Sequence, residues 1–126
     1  MADLRVHIAG VELSNPLIAA SGTFGFGHEY GELYPLSELG GISCKGITLQ
    51  ERTGNPPPRI AETPSGMLNA VGLQNPGVDH FLREDLPWLR EQGTAVIANI
   101  AGNTPEEYCA MAEKLSDSDV DMVELN

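Results

Sequence analysis

Ala95-Val-Ile-Ala-Asn-Ile100 and the residues that follow it decide the fold of this 126-residue chain. The six residues form a short apolar run of the length expected for a buried strand. Thr104-Pro-Glu-Glu107 then starts a helix to about Leu115, with Thr at the N-cap and Pro at the first helical position. Asp121-Met-Val-Glu-Leu-Asn126 is typical of the next strand. A strand, a helix and a strand in this order predict parallel pairing and an α/β fold.

The same alternation extends towards the N-terminus. Apolar and polar residues alternate around Ala9-Gly10, which is typical of a small hairpin. Before residue 50 we predict a β-hairpin over Arg5 to Leu13, a strand over Leu17 to Ala20, a short helix within Glu29 to Leu39 and a strand over Gly41 to Thr48; Pro35 interrupts the short helix. After it we predict a long loop over residues 50–77 and helices within Asp79 to Gln92.

Composition fits one soluble domain over residues 1–126. The formal net charge is −11 at pH 7, and the residues after 100 hold seven acids against Lys114 alone. Nucleic-acid binding requires a basic face, so we expect no nucleic-acid partner. The acidic run predicts a solvated helix face and loop, with a docking surface as the alternative.

Signals for membranes, export and metals are missing from the sequence. No apolar run approaches the roughly 18 to 20 residues of a membrane span. Met1-Ala-Asp-Leu-Arg-Val-His7 has no signal-peptide pattern, so we expect a cytoplasmic location and no membrane contact. Cys44 and Cys109 fit free thiols, and the three histidines lack metal-ligand spacing, so we expect no metal site.

Polar residues or glycines stand where the four predicted parallel strands end. These positions are Ser21-Gly22, Lys45-Gly46, Asn99 and Asn126. The carboxyl ends of parallel strands meet at one edge of a sheet, where α/β proteins build their sites. Asparagine is depleted in strands, so Asn99 and Asn126 predict amides that share a pocket. Asx turns at the strand exits are the alternative.

Lys45 is one of two lysines, and it lies inside the apolar strand predicted over Gly41 to Thr48. A buried ammonium group needs a partner. The position therefore favours a cation that faces a carboxylate or an electron-rich cofactor atom. A lysine at an exposed strand edge, with its head in water, is the alternative.

The segment from Glu62 to Gly77 is too rich in Gly, Pro and amides for a core element and too apolar for a free linker. Its apolar residues include Met67, Leu68, Val71 and Leu73, and its amides are Asn69, Gln74 and Asn75. This mixture predicts a loop packed over the body of the protein. Its amides are then available to a ligand that carries both C=O and N–H groups.

Taken together, several segments resemble the N-terminal half of the dihydroorotate dehydrogenase family. The matching segments are Asn15 to Gly27, Lys45-Gly-Ile-Thr48, Gly54-Asn-Pro-Pro-Pro-Arg59, Glu62 to Gly77, Ile97-Ala-Asn-Ile-Ala-Gly102 and Glu124-Leu-Asn126. They cover essentially the whole chain, in order and without large gaps. The sequence from Asn69 to Gly77 most resembles that of the catalytic subunit of the NAD-linked, two-subunit bacterial class.

The resemblance implies a TIM barrel that carries FMN at the C-terminal face of its strands. A complete barrel takes about 250 residues. We therefore expect the N-terminal half, about four βα units preceded by the small hairpin. The residues implied to contact FMN are Ala20, Ser21, Gly22, Lys45, Gly46, Asn99 and Asn126. Those implied to contact substrate are Lys45, Asn69, Ala70, Val71, Gly72, Leu73 and Asn126.

The family oxidises dihydroorotate to orotate in pyrimidine biosynthesis. A base removes a proton from one ring carbon while hydride passes from its neighbour to the flavin. Lys45 is the catalytic residue implied within this chain, because its charge would lie near the flavin and the substrate. The family's base is a cysteine just beyond the position of Asn126, and neither Cys44 nor Cys109 matches it. We therefore expect residues 1–126 alone to be inactive.

The NAD-linked class passes its electrons through a partner subunit. The resemblance implies FAD and an iron–sulfur cluster on that partner, since this chain has no cysteine cluster that would ligate one. It also implies a homodimer of catalytic subunits within a heterotetramer.

Two other interpretations stay open. One is the flavin domain of a dihydropyrimidine dehydrogenase, which is a similar barrel within a much longer chain. The other is a non-catalytic half-barrel that self-associates through its open strand edges. A flavin spectrum would favour an enzyme, and a colourless oligomer would favour the half-barrel.

Overall fold

Short strands alternate with helical segments in a computed structural model that describes residues 2–126. The strands are β1 (Val6–Ile8), β2 (Val11–Leu13), β3 (Ile18–Ala19), β4 (Gly41–Ser43), β5 (Ile60–Thr63), β6 (Gly66–Asn69), β7 (Ala95–Ile100) and β8 (Met122–Leu125). The α-helices are α1 (His28–Gly31), α2 (Val78–His80), α3 (Leu86–Arg90) and α4 (Pro105–Ser116). A 3₁₀ turn covers Leu36–Glu38, and a π-helical turn, Phe81–Asp85, joins α2 to α3.

A four-stranded parallel sheet in the order β3-β4-β7-β8 forms the centre of the molecule. Its register places Gly41 opposite Ala95 and Ile97 opposite Met122. Strands that neighbour each other in the sheet follow each other along the chain, as the βαβ pattern predicted. The sheet is open at β3 and β8, where Leu17 and Leu125 are 62% and 73% exposed. β1 and β2 form the small antiparallel hairpin expected before it.

The long central strand β7 is buried on both faces. Side chains alternate across a strand, so Val96, Ala98 and Ile100 share one face and pack with the buried residues of the helices in the core. Ile97 and Asn99 lie on the opposite face. Burial on both sides explains why this strand appears in the sequence as a continuous apolar run.

Helix α4 begins where its capping residues predicted. The Thr104 hydroxyl accepts a hydrogen bond from the Glu107 amide at 3.3 Å, and Pro105 occupies the first turn. The Glu107 carboxylate accepts from the Asn103 amide at 2.7 Å. Orphan amides at the helix start are thus satisfied by side chains, which fixes where the chain leaves β7.

Two predicted elements differ from those observed. The strand predicted over Gly41 to Thr48 ends at Ser43, and Ile47 returns to the sheet only as an isolated bridge to Ile100. Residues 50–77 contain the antiparallel β5–β6 hairpin instead of loop alone. Its residues are all exposed, including Met67 at 59% and Leu68 at 65%, so this part of the segment is not packed over the body as expected.

Candidate cofactor and substrate site

Three of the predicted site residues form a hydrogen-bonded chain at the carboxyl ends of the parallel strands. The Asn126 side-chain amide donates to Asn99 Oδ1 at 3.2 Å. The Asn99 Nδ2 atom contacts the Ser21 hydroxyl at 3.5 Å. Ser21 follows β3, Asn99 lies near the end of β7 and Asn126 follows β8. Sheet geometry therefore places residues far apart in sequence in one polar row.

Gly46 lies beside this row and is buried. A Cβ atom built there would lie 3.0 Å from Asn99 Oδ1, 3.0 Å from Leu73 Cδ1 and 3.5 Å from Asn126 Nδ2. A side chain at this position would therefore press on the amides themselves. The residues present fit a flat ligand with both donors and acceptors, because an amide supplies both kinds of group.

Lys45 lies next to Gly46, outside the strand in which the sequence analysis had placed it. The Cys44 amide still donates to the Ile97 carbonyl of β7 at 2.9 Å, but the Lys45 amide donates to the Gly25 carbonyl at 2.8 Å. The half-buried side chain lines a cavity of about 350 Å³ with residues of three loops. The other lining residues are Gly25, Phe26, His28, Glu29, Glu51, Arg52, Gln74, Asn75 and Pro76.

The Lys45 ammonium group has no acidic partner in the part of the chain that the structure describes. The ion pairs within 4.0 Å among residues 2–126 do not include it. Lys114, the other lysine, is instead paired with Asp79 at 2.7 Å. Glu29 and Glu51 line the same cavity but lie more than 4.0 Å from the ammonium group, so Lys45 remains available to an anionic ligand.

The predicted substrate segment, Asn69 to Leu73, is held from the side by Asn55. The Asn55 amides donate to the Val71 carbonyl at 3.0 Å from the backbone and to the Ala70 carbonyl at 2.9 Å from the side chain. Gly72 packs against Asn55 so closely that a Cβ atom would lie 2.8 Å from it. The Leu73 side chain reaches Gly46. Asn69 and Ala70 are exposed, and the Asn69 side chain makes no hydrogen bond within residues 2–126.

Arg59 supports the same segment and was not assigned a role from the sequence. Its Nε donates to the Asn55 carbonyl at 2.6 Å and its Nη2 to the Thr53 carbonyl at 3.0 Å, while Nη1 contacts the Gln74 side-chain oxygen. The fixed fork of guanidinium donors suits such multiple contacts. The Gly54-to-Arg59 motif marked this residue, but its spacing did not reveal which groups it binds.

Asn75 has a structural role, contrary to the expectation that its amide is available to a ligand. It is 4% exposed, and its Oδ1 accepts from the amides of Thr48 at 3.0 Å and Gly77 at 2.9 Å. Its Nδ2 donates to the Leu73 carbonyl at 2.8 Å. Because these hydrogen bonds occupy the side-chain amide, Asn75 fixes the end of the loop instead of binding a ligand.

The two cysteines differ in environment. Burial raises the pKa of Cys44 to about 12, so this thiol stays protonated at neutral pH. It packs in the core, and it is unsuited to act as a base. Cys109 is exposed on α4. In residues 2–126 no group of three or more His, Cys, Asp or Glu side chains is arranged to hold a metal ion.

A model of the dihydroorotate dehydrogenase family matches residues 3–126. The chain belongs to this family. Similar curated proteins include the dihydroorotate dehydrogenase B (NAD(+)) catalytic subunits of Petrotoga mobilis, 57% identical over 100% of this chain, and Anoxybacillus flavithermus, 54% identical over 100%. The chain spans only 42% and 41% of the lengths of these two relatives.

Among solved structures, the dihydroorotate dehydrogenase (DHODH) from Eimeria tenella in complex with ferulenol has the same fold. The TM-score is 0.71 at 21% identity, over 98% of this chain and 36% of that one. The predicted α/β fold, as the N-terminal half of a TIM barrel with a preceding hairpin, is thereby confirmed, with the sheet not closed. None of the helices within residues 2–126 has the length and apolar character needed to span a membrane.

Proposed function

We propose that this chain is the N-terminal part of an FMN-dependent dihydroorotate dehydrogenase, the catalytic subunit of the NAD-linked type. The observation that carries the proposal is the row from Ser21 through Asn99 to Asn126, with the buried Gly46 packed closely beside it. The relatives at 57% and 54% identity are dihydroorotate dehydrogenase B (NAD(+)) catalytic subunits, which supports the same reaction and the same acceptor.

The strand-end row is proposed to hold the ring of FMN. Asn99 and Asn126 would orient it through their amides, and Gly46 adds no side chain that would press on them. Ala20 and Gly22, on either side of Ser21, complete the proposed contacts. Bound FMN would accept the hydride that leaves the substrate.

Lys45 is the proposed catalytic residue, and it contacts both ligands. Lys45 lines the cavity, and no carboxylate among the described residues lies within 4.0 Å of its ammonium group, so its charge would be free to act on a ligand. A preorganised positive charge stabilises negative charge that develops in the transition state. The loop from Asn69 through Ala70, Val71, Gly72 and Leu73 is proposed to cover the substrate together with Asn126.

The remaining chemistry is proposed to come from outside residues 1–126. Cys44 stays protonated and is buried, so the general base is assigned to the rest of the complete protein. An electron-transfer subunit with FAD and an iron–sulfur cluster is the proposed route to NAD, with a homodimer of catalytic subunits inside a heterotetramer. The proposed location is the cytoplasm, and the proposed domain is residues 1–126 as part of one FMN barrel.

Anaerobic reduction of the flavin tests the proposed reaction. The full-length protein that contains this chain is loaded with FMN and mixed separately with dihydroorotate and with dihydrouracil, and the flavin absorbance is followed. We expect dihydroorotate to bleach the flavin and dihydrouracil to leave it oxidised, because only the former carries a carboxylate for Lys45. Bleaching by dihydrouracil alone would instead support the dihydropyrimidine dehydrogenase interpretation, and bleaching by neither would contradict both.

A further inference from the structure

Asp85 is a buried carboxylate that the proposed reaction does not use. It is 7% exposed and lies in the π-helical turn between α2 and α3. Its Oδ1 atom is 3.1 Å from His28 Nε2. Its Oδ2 atom has no hydrogen-bond partner, and His80 Nε2 lies 3.8 Å from it. Two histidines thus approach the two oxygens of one buried acid.

His28 connects this acid to the candidate site. It is the first residue of α1, and it lines the same cavity as Lys45. Its imidazole ring packs on the Trp88 indole with the ring centroids 4.0 Å apart. His28 therefore joins the loop that follows β3 to α3 by a tilted ring contact and to the π-helical turn by a polar contact.

These two histidines are the groups placed to compensate a charge on the buried Asp85 side chain. A buried carboxylate is costly unless it is paired with a cation. The other ionisable groups near the cluster do not compensate it: Cys44 is neutral below about pH 12, Glu29 is acidic, and Lys45 forms no ion pair among residues 2–126. On the same helical segment, Arg83 pairs with Glu84 at 2.8 Å, and Asp79 pairs with Lys114.

We propose that Asp85, His28 and His80 form a pH-dependent latch that holds the cavity-lining loop Gly25–Glu29 against the α2–α3 segment. Histidine is the side chain that ordinarily changes charge between about pH 5 and pH 8. With both rings protonated, each oxygen of Asp85 faces a cation, and the loop is held. With both rings neutral, the carboxylate keeps its burial but loses both counter-ions, and the loop is released more often.

The chain contains its own control for this latch. His7 Nε2 lies 3.2 Å from Glu12 in the N-terminal hairpin, but the two side chains are 67% and 50% exposed. An exposed ion pair is screened by water and contributes little. The geometry of the pair is similar and the burial is different, so His7→Gln removes a histidine without touching a buried charge.

Hydrogen exchange of the full-length protein at about pH 6 and about pH 8 tests the latch. After correction for intrinsic exchange chemistry, we expect the amides of residues 25–31 to be protected at least about fivefold more at the lower pH. This difference should disappear in Asp85→Asn, which keeps the shape of the side chain and removes its charge. His7→Gln should keep the wild-type difference.

His28→Gln provides a second route if Asp85→Asn fails to fold, because it leaves the buried carboxylate in place. It should also remove the dependence of loop protection on pH. Equal protection of the wild-type loop at both pH values would overturn the proposal. So would a pH dependence that persists in a folded Asp85→Asn or His28→Gln protein, because a merely structural contact loses protection equally at both pH values.

Discussion

The strand-end row and the β5–β6 hairpin both carry residues proposed to bind ligand, but they are held in different ways. Asn99 is 1% exposed and is fixed by the sheet, whereas Leu68 in the hairpin is 65% exposed. The loop after the hairpin receives hydrogen bonds from the side chains of Asn55 and Arg59. In the proposed site, the sheet therefore holds the cofactor side and a few polar bonds hold the substrate side.

The largest expected effect belongs to Lys45, at the border between the two regions. In the full-length protein, Lys45→Ala should slow flavin reduction by dihydroorotate, since one preorganised charge contact is typically worth roughly 2.7 to 4 kcal/mol, or about 10²- to 10³-fold in rate. Stopped-flow absorbance measures this rate. Lys114→Ala, which removes the lysine paired with Asp79, is the matched control and should leave the rate unchanged. If Lys45→Ala reduced its flavin at the wild-type rate, Lys45 would have a structural role only.

A glycine from each region tests the claim that the strand ends are rigid. Gly46→Val places carbon atoms against Asn99 and Leu73, because its Cβ atom alone would lie 3.0 Å from atoms of both side chains. Overpacking of this kind costs about 1 to 3 kcal/mol, so FMN affinity should fall by roughly 5- to 150-fold. Gly66→Val in the hairpin meets only Thr63 at 3.7 Å and should leave the affinity unchanged. Fluorescence titration compares the two, and equal affinities would show that the strand ends adjust.

Asn55→Ala tests the polar support of the substrate loop. It removes the side-chain bond to the Ala70 carbonyl, and a net hydrogen bond is worth about 0.5 to 1.5 kcal/mol. We expect the KM for dihydroorotate to rise by roughly 2- to 12-fold while FMN affinity is retained. Asn103→Ala, at the start of α4, is the control. A loss of FMN with no change in KM would assign Asn55 to the cofactor side.

The smallest expected effect belongs to the tip of the hairpin. Leu68→Ser should change the free energy of unfolding of the full-length protein by less than about 0.5 kcal/mol, because the side chain is exposed. Leu115→Ala, at a position that is 1% exposed, should cost about 2 to 5 kcal/mol. Denaturant unfolding measures both, with sedimentation as a check. A large cost or a change in assembly for Leu68→Ser would show that another surface covers the hairpin.

The sheet and its last βαβ unit were predictable because their signals are local. The apolar run of β7 and the Thr104 cap each act over a few residues, and both appear where expected. The hairpin at 60–69 was missed because its strands are fully exposed, so burial imposes no alternating pattern on them. The shift from α- to π-helical bonding at Phe81–Asp85 likewise has no simple sequence signal.

Whether a site residue could be predicted also depends on the kind of contact that positions it. Parallel pairing alone brings the ends of β3, β7 and β8 together, so Ser21, Asn99 and Asn126 could be grouped before the structure was known. The apolar neighbours of Lys45 predict a strand, whereas the chain leaves the sheet after Cys44 and the Lys45 amide bonds with Gly25. The roles of Arg59 and Asn75 depend on contacts across a loop, which spacing does not encode.

Flavin retention by the full-length protein tests the central claim most directly. The protein is loaded with FMN and dialysed, and flavin absorbance is measured for the wild type and for Asn99→Leu, which preserves volume and removes the amide beside Gly46. The strand-end site predicts that the wild type retains a single FMN per chain and that folded Asn99→Leu loses most of it. A wild type that retains no FMN, or a variant that retains as much as the wild type, would contradict the assignment.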